Sequence, residues 1–507
     1  MPVTGAVDIV NGSSIPKDEV LLVKVERFRD SVATAVGRGC HLSALFGVPS
    51  GASGARLYAV VSDPASGTLS LLAADVLERY PALTPTCESA HLFEREIAEQ
   101  WGVIPEGHPW LKPVRFHRSY SAGRDASGRI REEKIIPGTM EFFAMQGEEV
   151  HEVAVGPVHA GVIEPGHFRF QCHGERVLHL EISLGYQHRG IERALVGGPD
   201  KRSLHYLETA AGDTTVGHAT AYCETMEALA GVRPPPRAQA LRVVGLELER
   251  LANHAGDLGA LAGDVGFLPV AAYCGRLRGE FLNLTADICG NRLGRGLVRP
   301  GGGGFDLDES RAGAMMKRLD AAMVDCSGAI HLLFTASTAL SRFEETGRLS
   351  RMDCESLGLV GPAARASGLS RDVRKDFPTG WYRQWPTKVA GHGAGDVFSR
   401  AFVRWQEMKQ SAEMVRAVLG GLPPGSTKRE KVTPGRSCIA VSLVECWRGE
   451  TCHVAITDRG GRLEAYKIVD PSFHNWIGLA LAMRGQEISD FPLCNKSFNL
   501  SYCGHDL

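Results

Sequence analysis

The sequence has almost no net charge and no long apolar run. Its 56 lysine and arginine residues are balanced by 58 aspartate and glutamate residues, which gives a formal charge of −2. This balance excludes a nucleic-acid surface that depends on net positive charge. No stretch approaches the roughly 18 consecutive apolar residues of a membrane-spanning helix, so any membrane role is expected to come through partners. Residues 1–19 contain no basic run followed by an apolar stretch, which predicts no signal peptide and a cytoplasmic chain.

Closely spaced cysteine pairs are also absent. Thirteen cysteines are scattered along the chain, and no two of them have the CxxC spacing. An odd number of cysteines in a large chain without an export signal predicts mostly reduced, buried thiols. A site that needs a CxxC pair of thiolates is therefore excluded.

The sequence does contain enough apolar material for two or three domains. Its 507 residues, 44% of them hydrophobic, are too many for one ordinary domain. After an N-terminal tail at 1–19, alternating strand-like stretches and a helix through Glu94–Gln100 predict a small α/β domain at 20–117. A polar, Gly/Ser-rich linker is predicted at 118–138. Residues 139–507 open with strand-like stretches and then predict a large, mainly helical domain, so the fold class is α+β. The helices predicted from apolar spacing are Ala219–Leu229, Ala238–Leu261, Tyr273–Cys289 and Arg311–Leu340.

Two parts of the sequence resemble a known family. FEREIAEQWGVIPEGHPWLKP at 93–113 resembles the signature of the 30-kDa-type subunit of complex I and its hydrogenase relatives. GPVHAGVIEPGHFRF at 156–170, followed by GYQHRGIER at 185–193, resembles the opening of the 49-kDa-type or hydrogenase large subunit, in the form found in energy-converting nickel–iron hydrogenases. Further matching stretches extend the resemblance to about residues 40–507, in family order. It implies a fusion of the two subunits.

The resemblance also implies partners and a location. A chain of this family docks on an iron–sulfur small subunit of the complex I 20-kDa type, which carries a 4Fe–4S cluster. It also belongs with membrane-arm subunits, including antiporter-like proteins. We therefore expect a peripheral protein on the inner face of the cell membrane that binds no nucleic acid and holds no cofactor by itself.

Hydrogenases of this family hold nickel and iron with two pairs of cysteine thiolates. The first pair lies four and seven residues before a histidine that matches His218, and the second pair falls in the C-terminal SFNLSYCGHDL, where Cys503 is one position away from a ligand. None of the four ligand positions holds a cysteine, so the resemblance implies that the nickel–iron centre is missing. These positions are Ala211, Thr214, Ser501 and Gly504.

Complex I lost the same cysteines and uses the vacated cavity for the headgroup of a quinone. By resemblance, Tyr206 matches the tyrosine that hydrogen-bonds the quinone, His167 matches the histidine of the quinone pair, and Asp264 matches the aspartate partner of that histidine. Reduction of a quinone needs two protons, which buried tyrosine and histidine groups can supply. Glu164 matches a glutamate linked to proton exit in hydrogenases, and has either a proton role or a structural one. Each of these four residues could instead be a satisfied structural group.

Four further residues are predicted to contact a cofactor or the cluster-bearing partner. His188 and Arg189 in YQHRG are placed near the iron–sulfur subunit, with Arg237 of PPPRAQ in the same neighbourhood; each could equally be a buried salt-bridge residue. His159 belongs to the GPVHAG motif. No nucleotide-binding fingerprint is present, because the glycine run at 301–304 lacks the Lys-Ser/Thr of a phosphate loop. The NAD associated with the family is handled by other subunits of complex I.

Three functions remain open on the sequence. The first is an electron-transfer subunit of a complex I-like respiratory complex, with a quinone-type site shared with the iron–sulfur subunit. The second is a divergent hydrogenase large subunit in a formate hydrogenlyase-like assembly, against which the missing cysteines argue. The third is a scaffold without redox chemistry.

Overall fold

A computed structural model of the chain describes residues 3–51, 54–121, 134–159, 161–428 and 431–507. Most of the linker predicted at 118–138 lies outside these residues. The strands of the N-terminal part, in chain order, are β1 (Val7–Val10), β2 (Ser13–Pro16), β3 (His41–Ser50), β4 (Gly54–Asp63), β5 (Thr68–Val76), β6 (Arg79–Pro81) and β7 (Ile104–Glu106). Its helices are α1 (Val25–Gly37) and α2 (His91–Trp101).

Strands also open and close the larger part of the chain. They are β8 (Val150–Val155), β9 (His167–His173), β10 (Arg176–Ser183), β11 (Val298–Arg299), β12 (Gly302–Gly303), β13 (Cys438–Cys446), β14 (Gly449–Thr457) and β15 (Leu463–Val469). Between and after them lie the helices α3 (Ile191–Leu195), α4 (Ser203–Leu207), α5 (Thr215–Ala230), α6 (Pro236–Asp264), α7 (Leu268–Cys289), α8 (Glu309–Thr335), α9 (Ser337–Phe343), α10 (Arg351–Leu357), α11 (Gly361–Ala366), α12 (Val373–Asp376), α13 (Val397–Gly420), α14 (Pro471–Ala482), α15 (Phe491–Phe498) and α16 (Tyr502–Asp506).

Two four-stranded antiparallel sheets share one hydrophobic core. Their strand orders are β1-β5-β4-β3 and β15-β14-β13-β2. Alternate residues of β13, such as Ile439 and Val441, pack in the core of the first sheet, whereas Ala440 and Val444 pack in the core around α5. This alternation follows from the two-residue period of a strand. The second sheet is thus covered on both faces, by the N-terminal sheet and by the helices.

The N-terminal segment is not the tail that the sequence predicts. Strand β1 pairs with β5 of the first sheet, and β2 pairs with β13 of the second. Between them the buried side chain of Asn11 donates to the backbone oxygens of Phe377 and Leu443 and accepts from the backbone N–H of Leu443. The pairing of β2 with β13 joins residues more than 400 positions apart, which local patterns in a sequence do not reveal.

The predicted helical part is confirmed, with one break. Helices α5, α6 and α7 contain the three predicted ranges, and Pro236 begins α6, where the missing N–H of a proline costs nothing. The fourth range, 311–340, is divided into α8 and α9, which are bent by 75°. Among the described residues, no single helix has the length and apolar composition to cross a membrane, and only the bent pair α8 and α9 meets those two criteria.

A network of buried charges joins the helices to the second sheet. Arg365 of α11 binds Glu407 of α13 and Glu445 of β13, each at 2.8 Å, and Arg374 of α12 binds Asp372 at 2.7 Å. All these side chains are fully or almost fully buried. The network comprises the cations Arg250, Arg365 and Arg374 and the carboxyl groups Glu247, Asp372, Glu407 and Glu445.

Carboxyl groups outnumber guanidinium groups in this network, and Glu445 compensates for the difference. Burial raises the pKa of Glu445 to about 7, although Arg365 acts in the opposite direction. Because the folded state then binds a proton that the unfolded state has lost, the contribution of Glu445 to stability is complete below the unfolded pKa. It is lost as the pH rises through the folded pKa.

We therefore expect Glu445→Gln, which stays neutral, to gain stability relative to the wild type by roughly 2–3 kcal/mol between about pH 5 and about pH 8. Urea-induced unfolding across this range measures the difference between the two free energies of unfolding. As a control, Glu464→Gln removes an exposed carboxylate that pairs with Lys17, and should leave the profile parallel to that of the wild type. A constant difference between Glu445→Gln and wild type would contradict the protonation of Glu445.

Candidate functional site

The N-terminus of α5 and the C-terminal segment meet at one place, which we call the centre. Arg189 holds one side of it: its Nη2 donates to the backbone oxygens of Ala210 (2.9 Å) and Cys503 (2.8 Å). Arg448 holds the other side: its Nε donates to the backbone oxygen of Asn499, and its two terminal nitrogens donate to Asp213 at 2.6 and 2.7 Å. Two arginines therefore connect the two segments in which the sequence predicts the nickel-ligand positions.

Protein groups already engage or crowd these positions. Thr214 Oγ1 accepts from the indole of Trp447 (3.1 Å) and from Arg448 (3.3 Å). Ser501 Oγ accepts from the backbone N–H of Gly504, as the N-cap of α16. A Cβ added at Gly504 would lie 2.7 Å from Cγ of Asp470. The space in which a ligand side chain would stand at 504 is therefore taken by a carboxylate.

This donor set does not fit nickel and iron, which need thiolates. Ala211 and Gly504 offer no donor atom, and the hydroxyl groups of the other two positions are hydrogen-bonded. Cys503 is the nearby thiol, and burial together with the charge of Glu164 raises its pKa to about 11, which keeps it protonated. Over the described ranges, no group of three or more His, Cys, Asp or Glu residues is arranged to hold a metal ion.

A buried hydrogen-bond chain leads away from the centre. Asp470 Oδ2 lies 3.1 Å from His218 Nε2, and His218 Nδ1 lies 3.1 Å from His453 Nε2. His453 Nδ1 lies 2.9 Å from Tyr466 Oη. Burial alone would raise the pKa of Asp470, but the bond from His218 and the charge of Arg448 lower it, so Asp470 is ionised.

The ionised Asp470 fixes every proton in the chain. His218 must donate through Nε2 and accept through Nδ1, His453 must do the same, and Tyr466 must donate its hydroxyl proton. Burial raises the pKa of Tyr466 far above its usual range, so the chain ends in a group that keeps its proton. The chain therefore orients Asp470 and does not conduct protons.

Glu164 also lies at the centre. Its carboxyl group interacts with the thiol of Cys503 through charge and a hydrogen bond, and both raise the pKa of that thiol. The segment before Glu164 brings His159 to the C-terminal helix, where its Nε2 lies 3.3 Å from the hydroxyl of Tyr502. Burial lowers the pKa of His159, so its imidazole is neutral near pH 7.

Tyr206 lies on the short helix α4, partly buried against the large core. Its backbone oxygen accepts from the N–H and the hydroxyl of Thr209. The backbone oxygen of Thr209 in turn accepts from Nη1 of Arg189, at 2.5 Å. Tyr206 is thus connected through one turn of chain to the arginine that holds the centre together.

His167 and Asp264 do not form the expected pair. Arg169 Nε donates to His167 Nε2 at 3.1 Å, and His167 Nδ1 lies 3.4 Å from the backbone oxygen of Gly156. Burial lowers the pKa of His167, so the ring is neutral and cannot act as a cationic acid. Asp264, at the end of α6, binds Lys496 Nζ at 2.8 Å. The two residues have separate partners because they lie on separate elements, β9 and α6.

His188 and Arg189 flank the C-terminal segment, whereas Arg237 lies elsewhere. His188 Nδ1 donates to the backbone oxygen of Asp506 at 2.8 Å, and burial first, then His117, lowers its pKa to about 4. Arg237 binds Asp306 at 2.7 Å and donates to the backbone oxygen of Pro423. The prediction that Arg237 shares the neighbourhood of His188 is therefore wrong.

Sequence reasoning missed the residues that fill the centre. Trp447 and Arg448 form the turn between β13 and β14, and the sequence WRGE by itself predicts only a strand turn. Asp470 belongs to DPSFHNW, a stretch that matches the family without a role for its aspartate. A buried Trp–Arg pair at a turn was the available signal, but burial is known only from the fold.

Comparisons with known proteins match both parts of the chain. The family model of the 49 Kd subunit of respiratory-chain NADH dehydrogenase matches residues 264–440, and that of the 30 Kd subunit matches residues 33–123. Carbon monoxide-induced hydrogenase of Rhodospirillum rubrum is 34% identical over 69% of this chain and 97% of its own length. Formate hydrogenlyase subunit 5 of Escherichia coli (strain K12) is 30% identical over 83% and 76%. The fused C/D polypeptide of NADH-quinone oxidoreductase from Bacteroides thetaiotaomicron is 26% identical over 82% and 83%.

The crowding at Gly504 gives a prediction. Gly504→Ala should destabilise the protein by about 1–3 kcal/mol, because the new methyl group forces Asp470 away from His218 and from the N-terminus of α14. Thermal or denaturant unfolding measures the loss. Gly313→Ala in α8, where an added Cβ meets nothing within 4 Å, is the control and should stabilise by about 0.5–1 kcal/mol. Equal stability of Gly504→Ala and wild type would show that the space at 504 is open.

Proposed function

We infer the function of this chain from its family: it belongs to the oxidoreductase subunits that include the large subunits of membrane-bound hydrogenases and the fused 30-kDa and 49-kDa subunits of complex I. We propose that it is the electron-transfer subunit of such a complex, with a quinone-type acceptor site instead of a nickel–iron centre. In this proposal the electrons come from an iron–sulfur partner and pass to a quinone at the interface.

One observation carries the proposal: the centre keeps the family's protein groups but has none of its thiolate ligands. The ligand positions hold a methyl group, two engaged hydroxyl groups and a glycine pressed against Asp470. The ion pair between Arg448 and Asp213 supplies fixed charges where a metal would supply its own. Loss of the ligands without collapse of the centre favours a second use over decay.

The residues that remain suit proton delivery to an acceptor. A quinone that takes up two electrons needs two protons at its oxygens. Tyr206 offers a hydroxyl group on the side of Arg189, and Glu164 offers a carboxyl group on the side of Cys503. The neutral His167 holds the end of β9 against Gly156 and Arg169. In this proposal Tyr206 and Glu164 hold the protons and His167 positions the loop, while a role for Asp264 stays a prediction.

The partners are part of the same proposal. We assign an iron–sulfur small subunit to the face formed by His159, His188 and Arg189, because these residues border the centre. Membrane-arm subunits, including antiporter-like proteins, would hold the complex on the inner face of the membrane. The relatives named for formate hydrogenlyase and for NADH-quinone oxidoreductase support an assembly of several chains.

A scaffold without redox chemistry is the second candidate, and the filled centre favours it. Arg448 is held by Asp213, Thr214 and the backbone of Asn499 and stacks on Trp447 at 3.9 Å. Such a fully bonded arginine could hold the segments together without any chemistry. Scaffold and quinone site differ in one measurable property, which is turnover with a quinone.

The first test is metal analysis of the purified complex, with hydrogen uptake assayed on the same sample. The proposal expects no stoichiometric nickel, and iron near four atoms per complex, as one cubane cluster in a partner would give. Stoichiometric nickel together with hydrogen uptake would overturn it in favour of a divergent hydrogenase.

The second test is reduction of a water-soluble quinone by the complex. Tyr206→Phe should lower the rate by about 100-fold, because it removes one hydroxyl proton donor and changes little else. Tyr273→Phe is the control, since Tyr273 is 42% exposed on α7 and lies outside the centre. Absence of quinone reduction by the wild-type complex would leave the scaffold; equal rates for Tyr206→Phe and wild type would remove Tyr206 from the site.

A further inference from the structure

A second cavity lies apart from the centre. It is a cleft of about 700 Å³ between the turn that joins β1 to β2, the C-terminal half of α5, the start of α6 and the segment 373–383. None of the residues discussed at the centre lines it. Its volume is within the range of small-molecule sites, about 300–1,000 Å³.

Uncompensated positive charge marks the rim of the cleft. Arg233 and Arg383 are both exposed at this rim, and within the described part of the chain neither forms a salt bridge. The inner arginines differ, because Arg242 makes two bonds to Glu227, at 2.6 and 2.9 Å, and Arg374 binds Asp372. The rim therefore attracts an anion, and guanidinium groups favour phosphate or carboxylate.

An aromatic surface adjoins the rim. Trp381 lines the cleft, is half-buried, and stacks on Trp385 with ring centroids 5.8 Å apart and planes 27° apart. Its neighbour in sequence, Tyr382, is held by a bond of 2.6 Å to Glu247 of the buried charge network. A fixed indole beside an anion site suits a planar ring that carries the anion.

Hydrogen-bond acceptors form the floor. Glu224 Oε2 accepts from Ser442 (2.6 Å) and Oε1 accepts from Thr379 (2.7 Å). Burial raises the pKa of this carboxyl group, and the neighbouring Glu227 adds to the effect while Arg242 opposes it. The side-chain amide of Gln239 donates to the backbone oxygen of Pro234, which leaves its oxygen as an acceptor. Such a floor suits a ring with N–H donors.

From these three features we propose that the cleft binds a nucleotide, with the phosphate between Arg233 and Arg383, the base on Trp381, and base N–H groups towards Glu224 and Gln239. No fingerprint in the sequence predicts such a site, because its parts come from separate segments between residues 10 and 445. The site has no part in electron transfer at the centre.

Isothermal titration calorimetry of the full chain with AMP tests the proposal. We expect one saturable site per chain, with weaker binding of adenosine and of inorganic phosphate, since each lacks one half of the contacts. Arg233→Ala, Arg383→Ala and Trp381→Ala should each weaken AMP binding by about 10-fold or more. The variant Arg459→Ala removes an exposed arginine outside the cleft and should bind AMP as the wild type does.

Each contrary result has a distinct meaning. Absence of saturable AMP binding, or binding unchanged in all three variants, would overturn the proposal. Phosphate that binds as tightly as AMP would overturn the assignment of a nucleotide, because the base would then add nothing. The titration needs neither a metal nor a quinone, so its outcome is independent of the function proposed for the centre.

Discussion

The structure depends on the neutralisation of buried charges between the helices and the second sheet. Burial of an unpaired charge costs several kcal/mol, so each guanidinium group must meet carboxylates in a fixed geometry. Arg365 binds Glu407 and Glu445 at once, which sets the distance between α13 and β13. Glu407 also binds His254 of α6 at 2.9 Å, and that ring meets Trp447 edge to face. The network thereby positions the turn on which the centre is built.

The centre continues the same logic with fewer charges. Arg448 follows Trp447 in that turn, and its guanidinium group reaches Asp213 at the N-terminus of α5. Glu249 of α6 accepts from the backbone N–H groups of Val216 and Gly217, which satisfies two donors at the start of that helix. Where the resemblance implies a metal held by thiolates, this chain holds its segments with an ion pair and a capped helix. Buried polar contacts of this kind fix one geometry, whatever their net contribution to stability.

How much the sequence could predict follows from the range of each interaction. The apolar spacing in α5, α6 and α7 is local, so the helices were predictable, and long motifs placed Glu164 and the ligand positions at one centre. The N-terminal strand β2 depends on a partner hundreds of residues away, and the contact of Arg448 with Asp213 spans 235 positions. The expected contacts of Arg237 and of His167 with Asp264 failed for the same reason: homology suggests a neighbourhood, whereas the side chain takes the nearest partner.

Helix α5 joins the two cavities and is poorly able to bend or slide. Its N-terminus borders the centre, and its C-terminal half carries Glu224 into the cleft. A Cβ added at Gly217 would lie 2.3 Å from the sulfur of Cys446, so the helix packs directly on the β13–β14 hairpin. Close-packed elements transmit a displacement because no void absorbs it. A shift of α5 at the cleft must therefore move the hairpin or Thr214, and with them the groups that hold Arg448.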